Sequence, residues 1–495
     1  MKSNLNHKEE TVLISVQKLE KLTFERDKFK RELEELRRML FGAKSERFIA
    51  TDDSQLALFE EELAKKEEEL DEYTSTYKRT KKKKKKEKPI RTTIPAHYTR
   101  VEEIIEPENL DPSWVKIGEE VTELLEIKPS VIFVRRIVRP KYAPKKGGVV
   151  IADLPSLPIP KGNAGASLLA FILISKFVDH LPLYRLLQIF KRQDLDISKS
   201  TIGGWVKKSS ELLTPLYDTF KEKFLEDADY IQADESPIKV QDRNKKKATH
   251  RGFMWVYRRP EDKLVLFDYH KGRGKNVPEE FLENFTGTLQ SDGYKVYQHL
   301  TTKGEITLLG CMAHARRYFE KAIDNDPRRA DHVLFLIQKL YLIERKLKER
   351  NADAILTKRF RSLYALPILD EIETYLNSEK GKVLPKSSIG IAINYTLNIF
   401  ENLKHYVDDG KFEIDNNNIE NAIRPLAIGR KNYLFAGSHE AAEHIAMFYS
   451  FFSTCKTLNI NPHTWLVDVL NRIPEHKANK LHELLPQNWV ENKPT

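Results

Sequence analysis

Cysteines and long apolar runs are scarce in this chain. Only Cys311 and Cys455 occur among 495 residues, which argues against a disulfide framework and against a cysteine-rich zinc module. The most apolar stretch, residues 168–178, is too short to span a bilayer and contains Lys176. The opening MKSNLNHKEE lacks the apolar core of a signal peptide. These absences predict a cytoplasmic protein that does not contact a membrane.

Basic side chains, by contrast, are in excess. Lys and Arg total 83 against 73 for Asp and Glu, which gives a formal net charge of +10. This excess favours a polyanionic partner, most commonly nucleic acid, although composition alone does not distinguish DNA from RNA, a ribosome or a membrane surface. The length predicts about three or four domains.

Residues 1–75 carry apolar side chains at heptad spacing and are predicted to form a coiled-coil dimerisation region. Amphipathic helices packed on their own chain are the alternative. Residues 76–92 include six successive lysines, 81–86, and are predicted to be a basic linker. This linker acts either as a phosphate-binding arm or as a solubilising tether.

Two regions precede the most informative part of the chain. Residues 93–155 are predicted to be a small β-containing module, with a strand at 131–138 (VIFVRRIV). Residues 160–225 are predicted to form a helical domain resembling a helix-turn-helix reader of DNA, with helices at 168–190 and 198–213. Many helical hairpins share this pattern without touching DNA.

The second of these helices has recognisable parts. Ser200 or Thr201 can cap its amino end, and Trp205 is predicted to lie in the core. Lys207 and Lys208 are predicted to face outward and contact DNA.

Residues 226–326 alternate strand and helix patterns around two aspartates, Asp234 and Asp292. Asp234 interrupts a short apolar strand, YIQADESPIKV, and Asp292 ends a later strand, GTLQSDGY. The order is three strands, a helix, a strand, another strand and a helix, with the remaining elements at 252–259, 263–270, 278–285, 305–311 and the helical MAHARRYFEKAI. This is the order of a ribonuclease-H-like fold, in which acids on the first and fourth strands lie side by side.

Acids within apolar strands need a physical explanation, because burying a carboxylate costs free energy unless it is paired or binds metal. Mg²⁺ prefers hard oxygen ligands, and two ions about 4 Å apart can activate a hydroxyl and stabilise a leaving oxygen in phosphodiester cleavage. A third acid, Glu420, lies in residues 396–455, after a polar turn at 415–418 predicted to cap a helix that opens near Ile419. Arg424 follows one turn later on the same face, so an ordinary helical ion pair is the alternative.

Several long motifs occur in order: YIQADESPIKV, LQSDGYKVY, CMAHARRYFEKA and IDNNNIENAIRPLAIGRKNYLFAGS. With these motifs the sequence resembles transposases of the insertion-sequence-66 family, members of the DDE class of polynucleotidyl transferases. The tail IPEHKANKLHELLPQNW, within residues 456–495, and the upstream HLPLYRLLQIFKRQDLDISKSTIGGWV share the resemblance. It extends from about residue 45 to the end of the chain.

The resemblance implies that Asp234, Asp292 and Glu420 are the catalytic residues and bind two magnesium ions, which manganese can replace. It also implies roles near DNA for basic residues of the same motifs, namely Arg316, Arg317, Arg424, Arg430 and Lys431. His314 is either a group that supports the metal ligands or a packed core histidine. Residues 327–395 are predicted to be a helical insertion between the second and third acids.

One departure concerns zinc. Family members commonly carry paired cysteines ahead of the catalytic domain, whereas residues 109–148 here contain none. No zinc is therefore predicted, and recognition of the DNA end falls to the helix-turn-helix region and the basic arms.

The sequence as a whole predicts a multidomain α+β protein with a ribonuclease-H-like α/β core and a helical insertion. The predicted function is metal-dependent cleavage and strand transfer of a bacterial insertion sequence. Its partners would be the terminal inverted repeats, target DNA, a second copy or more of the chain, and accessory proteins encoded by the same element. The rivals are a nuclease or Holliday-junction resolvase, which cleaves without joining, and a DNA-binding regulator whose acids are inert.

Overall fold

The computed structural model describes Phe59 and residues 132–137, 141–142, 150–151, 153, 155–242, 248–303 and 305–489. The predicted coiled coil, apart from Phe59, and the basic linker lie outside the described residues, as does most of the small module at 93–155.

The strand predicted at residues 131–138 is wrong over its described part. Residues 132–137 have no regular secondary structure and are exposed to solvent. Two short strands follow instead, β1 (Lys141–Tyr142) and β2 (Val150–Ile151), which pair antiparallel. An apolar run becomes a strand only where a neighbouring strand accepts its backbone hydrogen bonds, and Arg135 and Arg136 break the alternation that would give the run an apolar face.

The predicted helices of the helix-turn-helix region are confirmed. They are α1 (Ala166–Phe177), α2 (Leu183–Lys191) and α3 (Lys199–Leu225). Trp205 is buried, as predicted. The cap of α3 differs from the prediction, because Ser198 rather than Ser200 or Thr201 precedes the first helical residue, and its hydroxyl accepts a 3.0 Å hydrogen bond from the Thr201 amide.

A five-stranded mixed sheet forms the centre of the described chain. Its strands are β3 (Tyr230–Gln241), β4 (Thr249–Arg259), β5 (Leu264–His270), β6 (Gly287–Gln290) and β7 (Ile306–Leu309), and all five were predicted. Their order across the sheet is β5-β4-β3-β6-β7. The β3–β4 and β4–β5 pairs are antiparallel, whereas β3–β6 and β6–β7 are parallel. The carboxyl end of β6, at Gln290, therefore lies beside Gln232 near the start of β3.

Helices surround this sheet. The next are α4 (Asn276–Phe281), α5 (Lys295–Gln298), α6 (Met312–Ala322), α7 (Pro327–Glu349), α8 (Ala354–Phe360), α9 (Leu366–Lys380) and α10 (Ser388–Asn398). The last are α11 (Phe400–Lys404), α12 (Asn417–Tyr433), α13 (His439–Thr457) and α14 (Pro462–Arg472). Helices α7 to α10 occupy the predicted helical insertion.

Two apolar cores hold these layers together. One joins the sheet to α1–α3 and α12–α14, and the other joins α6 to the helices of the insertion. Helix α13 lies along β5, the edge strand, where the hydroxyls of Ser450 and Thr454 accept hydrogen bonds from the amides of Phe267 and Val265 at 2.8 and 3.1 Å. These bonds satisfy edge amides that would otherwise need water or another strand. Over the described ranges, no helix has both the length and the apolar character needed to cross a membrane.

Candidate active site

The sheet brings Asp234 and Asp292 to adjacent positions. Gln232 on β3 pairs in register with Gln290 on β6, and each aspartate follows two residues later along parallel strands. Gly293 has a φ of +82°, a conformation that suits glycine, and it turns the chain directly after Asp292. The backbone carbonyl of Asp292 also accepts a 2.6 Å hydrogen bond from the Tyr395 hydroxyl on α10.

Asp234 lies in an electrostatically unfavourable place for a bare carboxylate. Burial raises its pKa well above the usual value, and the negative charges of Glu235, Asp292 and Glu420 raise it further. The Glu235 amide, 2.7 Å from Asp234 Oδ1, opposes these effects in part. A carboxylate buried among other carboxylates is a position at which a cation would bind strongly.

Glu235 has its own partner. Strand alternation directs it away from the face that carries Asp234. Its side chain is 2% exposed and accepts a 2.7 Å hydrogen bond from Arg273 Nε. Burial raises the Glu235 pKa, and Arg273 limits that rise. The arginine therefore compensates a second buried acid next to Asp234.

Glu420 lies in the first turn of α12, as predicted, but the start of this helix differs from the prediction. The helix begins at Asn417, two residues before Ile419, and the side chain of Asn416 makes no capping hydrogen bond. Asp415 accepts a 3.0 Å hydrogen bond from the Asn417 amide instead. The Asp415 carboxylate thus bonds the amide two residues later, which forms a local turn. A helix cap would instead bond the amide three residues later.

The partner of Glu420 is Arg317 on α6, not Arg424 on its own helix. Arg317 Nη2 lies 2.7 Å from both Glu420 oxygens, and His314 Nε2 lies 3.7 Å from Glu420 Oε1. Arg317 Nη1 is also 3.0 Å from His314 Nε2. The side chains of Arg317 and Glu420 are 27% and 31% exposed, so this ion pair is accessible to water. His314 is thus a neighbour of the proposed site rather than a remote core residue.

A polar network beneath the aspartates attaches the segment before α12 to the sheet. Gln232 Nε2 donates to Gln290 at 2.7 Å and to Glu413 at 2.8 Å, and Gln290 Nε2 donates to the Glu413 carbonyl at 2.7 Å. Arg258 Nη1 on β4 lies 3.1 Å from both Glu413 carboxylate oxygens. The Tyr230 hydroxyl accepts a 3.1 Å hydrogen bond from the Glu413 amide. This network holds the chain at Glu413, seven residues before Glu420.

Two of the arginines predicted to contact DNA are occupied within the protein. Arg316 is 7% exposed and forms a 2.6 Å ion pair with Glu320, one turn along α6. Arg430 donates to the Ser236 hydroxyl at 2.9 Å and to the Pro237 carbonyl at 2.5 Å, which fastens α12 to β3. In this conformation both guanidiniums already bond to other groups of the protein.

Of the other predicted DNA contacts, Arg317 is paired with Glu420, and the remaining four lie at the surface. Arg424 and Lys431 are exposed on α12, and Arg424 lines a cavity of about 630 Å³ between α1, α12 and α13. Lys207 and Lys208 are exposed on α3, where Lys207 lies 3.2 Å from Glu440. These four side chains can reach a phosphate, although Lys207 would first leave its carboxylate.

The donor chemistry of the acids suits a magnesium site, but their arrangement is incomplete. Within the described ranges, no group of three or more His, Cys, Asp or Glu side chains is arranged to hold a metal ion. The negative charges of Asp292 and Glu420 nevertheless both raise the pKa of Asp234. In this conformation the Glu420 carboxylate is paired with Arg317, whose positive charge opposes a cation at the same oxygens.

The contributors to this site that were not predicted from the sequence include Arg273, Tyr395 and Glu413. Each acts through a contact with a residue distant in the chain, and spacing within a helix or strand carries no information about such contacts. Glu413 did offer one weak signal, because it directly precedes the quoted motif that contains Glu420.

Comparison with known proteins decides the family. A model described as the transposase IS66 family matches residues 161–444, more than half of the chain. The chain belongs to this family. The IS66 C-terminal element matches residues 450–487, which include most of the predicted C-terminal tail. A third model, described as Transposase C of IS166 homeodomain, matches residues 28–102. Membership in the IS66 family makes the chain a transposase, a DNA-processing protein, and the homeodomain-like match is consistent with DNA binding.

Similar proteins from Sinorhizobium fredii (strain NBRC 101917 / NGR234) extend the resemblance over most of the chain. The uncharacterized protein y4qI is 33% identical over 482 residues, covering 92% of this chain and 88% of its own. The uncharacterized protein y4jD is 31% identical over 419 residues, covering 80% of this chain and 81% of its own. Similarity to these proteins is therefore not confined to the segment around the three acids.

Proposed function

We propose that this protein is a DDE-class transposase that cuts DNA at the ends of its insertion sequence and joins the cut ends to target DNA. The observation that carries the proposal is the parallel register of β3 and β6, in which Asp234 and Asp292 each follow two residues after the paired Gln232 and Gln290, together with the charge of Glu420, which raises the pKa of Asp234. The three acids lie far apart in the sequence, on β3, just beyond β6 and on α12.

The proposed core is ribonuclease-H-like. In support, three antiparallel strands are followed by two parallel ones in the order β5-β4-β3-β6-β7, with β3 at the centre. Asp234 lies on the first strand of the sheet and Asp292 just beyond the fourth. This is the pair of positions at which the sequence order predicted adjacent acids.

Asp234, Asp292 and Glu420 would hold two magnesium ions, or manganese in their place. Ions bound there would supply a lower pKa for an attacking water and positive charge for the departing 3′ oxygen. The protein's own contribution is the arrangement of oxygens. Gly293 and Tyr395 hold the backbone around Asp292. Burial makes the bare Asp234 carboxylate unfavourable, which favours a positively charged partner there.

The proposed reaction has two steps in one site. Water first attacks the phosphodiester at the element end and releases a 3′-hydroxyl. That hydroxyl then attacks a phosphodiester of the target, so the bond that forms replaces the bond that breaks and no covalent protein intermediate is needed. Exposed Arg424 and Lys431 would position phosphates beside Glu420, and Lys207 and Lys208 would bind DNA farther away.

Assembly remains part of the proposal. Both DNA ends must be held together during transposition, which favours a dimer formed through residues 1–75 and assisted by accessory proteins of the same element. No zinc is proposed for the module at residues 93–155.

The test is a cleavage and joining assay on a DNA fragment that carries the element's terminal repeats, with Mg²⁺ present. We expect Asp234→Asn, Asp292→Asn and Glu420→Gln to lose both reactions, whereas Glu280→Gln, which alters an exposed acid on α4, keeps them. Cleavage without joining would favour the nuclease rival. Equal activity of Asp234→Asn and the unchanged protein would refute the assignment.

A further inference from the structure

The contact between Arg317 and Glu420 conflicts with the role proposed for Glu420. Both oxygens of this carboxylate accept hydrogen bonds from one guanidinium nitrogen at 2.7 Å. Each oxygen keeps a lone pair for a divalent cation, but the positive charge of the arginine, 2.7 Å from both oxygens, repels a cation from the same position. Glu420 therefore binds a cation together with the two aspartates more readily once Arg317 has moved away.

If Glu420 moves away, Arg317 needs another negatively charged partner. A guanidinium stripped of its carboxylate in a partly buried position loses two charged hydrogen bonds. A DNA phosphodiester is the best replacement, because its oxygens match the planar fork of arginine as a carboxylate does. The surroundings permit this approach, since the Arg317 side chain is 27% exposed.

The position of Arg317 in the fold also favours replacement of Glu420 by a phosphate. Arg317 lies on α6, which follows β7, the strand that pairs with β6 and thus neighbours Asp292. A phosphate brought to the three acids would therefore meet Arg317 as well. His314, 3.0 Å from Arg317 Nη1 and 3.7 Å from Glu420, lies beside this pair and can keep a contact with either.

We infer that Arg317 couples DNA binding to completion of the acid site: it holds Glu420 while DNA is absent and exchanges it for a DNA phosphate. This inference rests on the proposed function and adds a positioning role for Arg317. In DNA-free protein, cation binding competes with the arginine. In the DNA complex, Arg317 is bound to phosphate and Glu420 is free, so the cation binds more tightly.

The experiment measures Mn²⁺ affinity of the full-length protein by titration calorimetry, with and without a terminal-repeat duplex. The duplex ends in a 3′-dideoxynucleotide and no target is added, so no joining can occur. For the unchanged protein we expect DNA to tighten Mn²⁺ binding about tenfold, the effect of removing one partly exposed charged pair. Arg317→Gln should bind Mn²⁺ about tenfold more tightly without DNA and gain little more when DNA is added.

Two further variants distinguish the effect of the positive charge of Arg317 from the effect of its contacts. Lys321→Gln removes one positive charge from the exposed side of α6, and it should behave like the unchanged protein. Arg317→Lys keeps the charge but loses the second nitrogen that contacts His314, so its DNA-free affinity should lie between those of the unchanged protein and Arg317→Gln. Circular dichroism confirms that each variant is folded before titration.

The outcomes also distinguish this inference from the proposed function. If Asp234→Asn does not weaken Mn²⁺ binding to the DNA complex, the metal site itself is misassigned and the proposed function fails. If Asp234→Asn abolishes binding but Arg317→Gln leaves DNA-free affinity unchanged or weaker, the exchange alone is overturned.

Discussion

The contact between Arg258 and Glu413 allows a quantitative test of how the segment before α12 is held. Arg258 Nη1 lies 3.1 Å from both Glu413 oxygens and 2.7 Å from Gln232 Oε1. The side chains of Arg258 and Glu413 are 13% and 27% exposed. Arg258→Met keeps much of the apolar stem but removes every donor, which leaves Glu413 and Gln232 short of partners.

The expected loss follows from this burial. Breaking a fully buried pair costs about 3–5 kcal/mol, and water reaching the partly exposed Glu413 reduces the cost here to about 2–3 kcal/mol. The corresponding decrease in melting temperature is about 2–3 °C, because an unfolding entropy of about 2.1 cal/mol/K per residue over a chain of this length gives about 1 °C per kcal/mol. Thermal melting of the full-length protein, followed by circular dichroism, measures this decrease.

A double-mutant cycle isolates the contact itself. Glu413→Gln and Arg258→Met remove the same interaction, so the double variant should be more stable than the sum of the single losses predicts, by at least about 1 kcal/mol. Cleavage should also fall in Arg258→Met, because the chain leading to Glu420 loses its attachment. Leu376→Ala, a buried change on α9, supplies a control of comparable instability that should retain cleavage when folded. Additive losses in the cycle would refute the reasoning.

Three further predictions concern single contacts. Asp234→Asn should raise the melting temperature in EDTA at pH 8 while abolishing cleavage. Burial and neighbouring carboxylates raise the Asp234 pKa, so its proton stabilises the folded protein at low pH, and this stabilisation is lost as pH rises from about 4 towards the raised value. The variant's advantage should therefore shrink at pH 5, and an advantage that does not change with pH would contradict this cause. Ser198→Ala removes the cap bond to the Thr201 amide and should cost about 1 kcal/mol in thermal melting, whereas no loss would argue against the cap. Tyr395→Phe removes the bond to the Asp292 carbonyl and should slow single-turnover cleavage without weakening DNA binding, and unchanged cleavage would exclude this role.

The strands and helices of the core could be predicted because their signals are local. Apolar runs bounded by turns indicated the positions of β3 to β7. Asp234 interrupts one of these runs and Asp292 follows another, and the predicted strand order brings the two aspartates side by side. Trp205 was assigned to the core from its place on an amphipathic helix. Such patterns depend only on residues close in sequence.

The failures have equally physical causes. The run at residues 131–138 has strand-forming side chains, but the sequence could not show whether another strand lies beside it. Likewise, Glu420 had a plausible partner one turn away in Arg424, yet it pairs with Arg317 on another helix. Tertiary packing selects between such partners, and a single sequence does not encode that choice in its spacing.

The most direct test of the central claim is a structure of the protein bound to its terminal-repeat DNA with Ca²⁺, which occupies oxygen sites without supporting cleavage. We expect Asp234, Asp292 and Glu420 to share cations at the scissile phosphate, with Arg317 bonded to a DNA phosphate. A complex in which the scissile phosphate lies elsewhere, and Glu420 is still held by Arg317, would contradict the account.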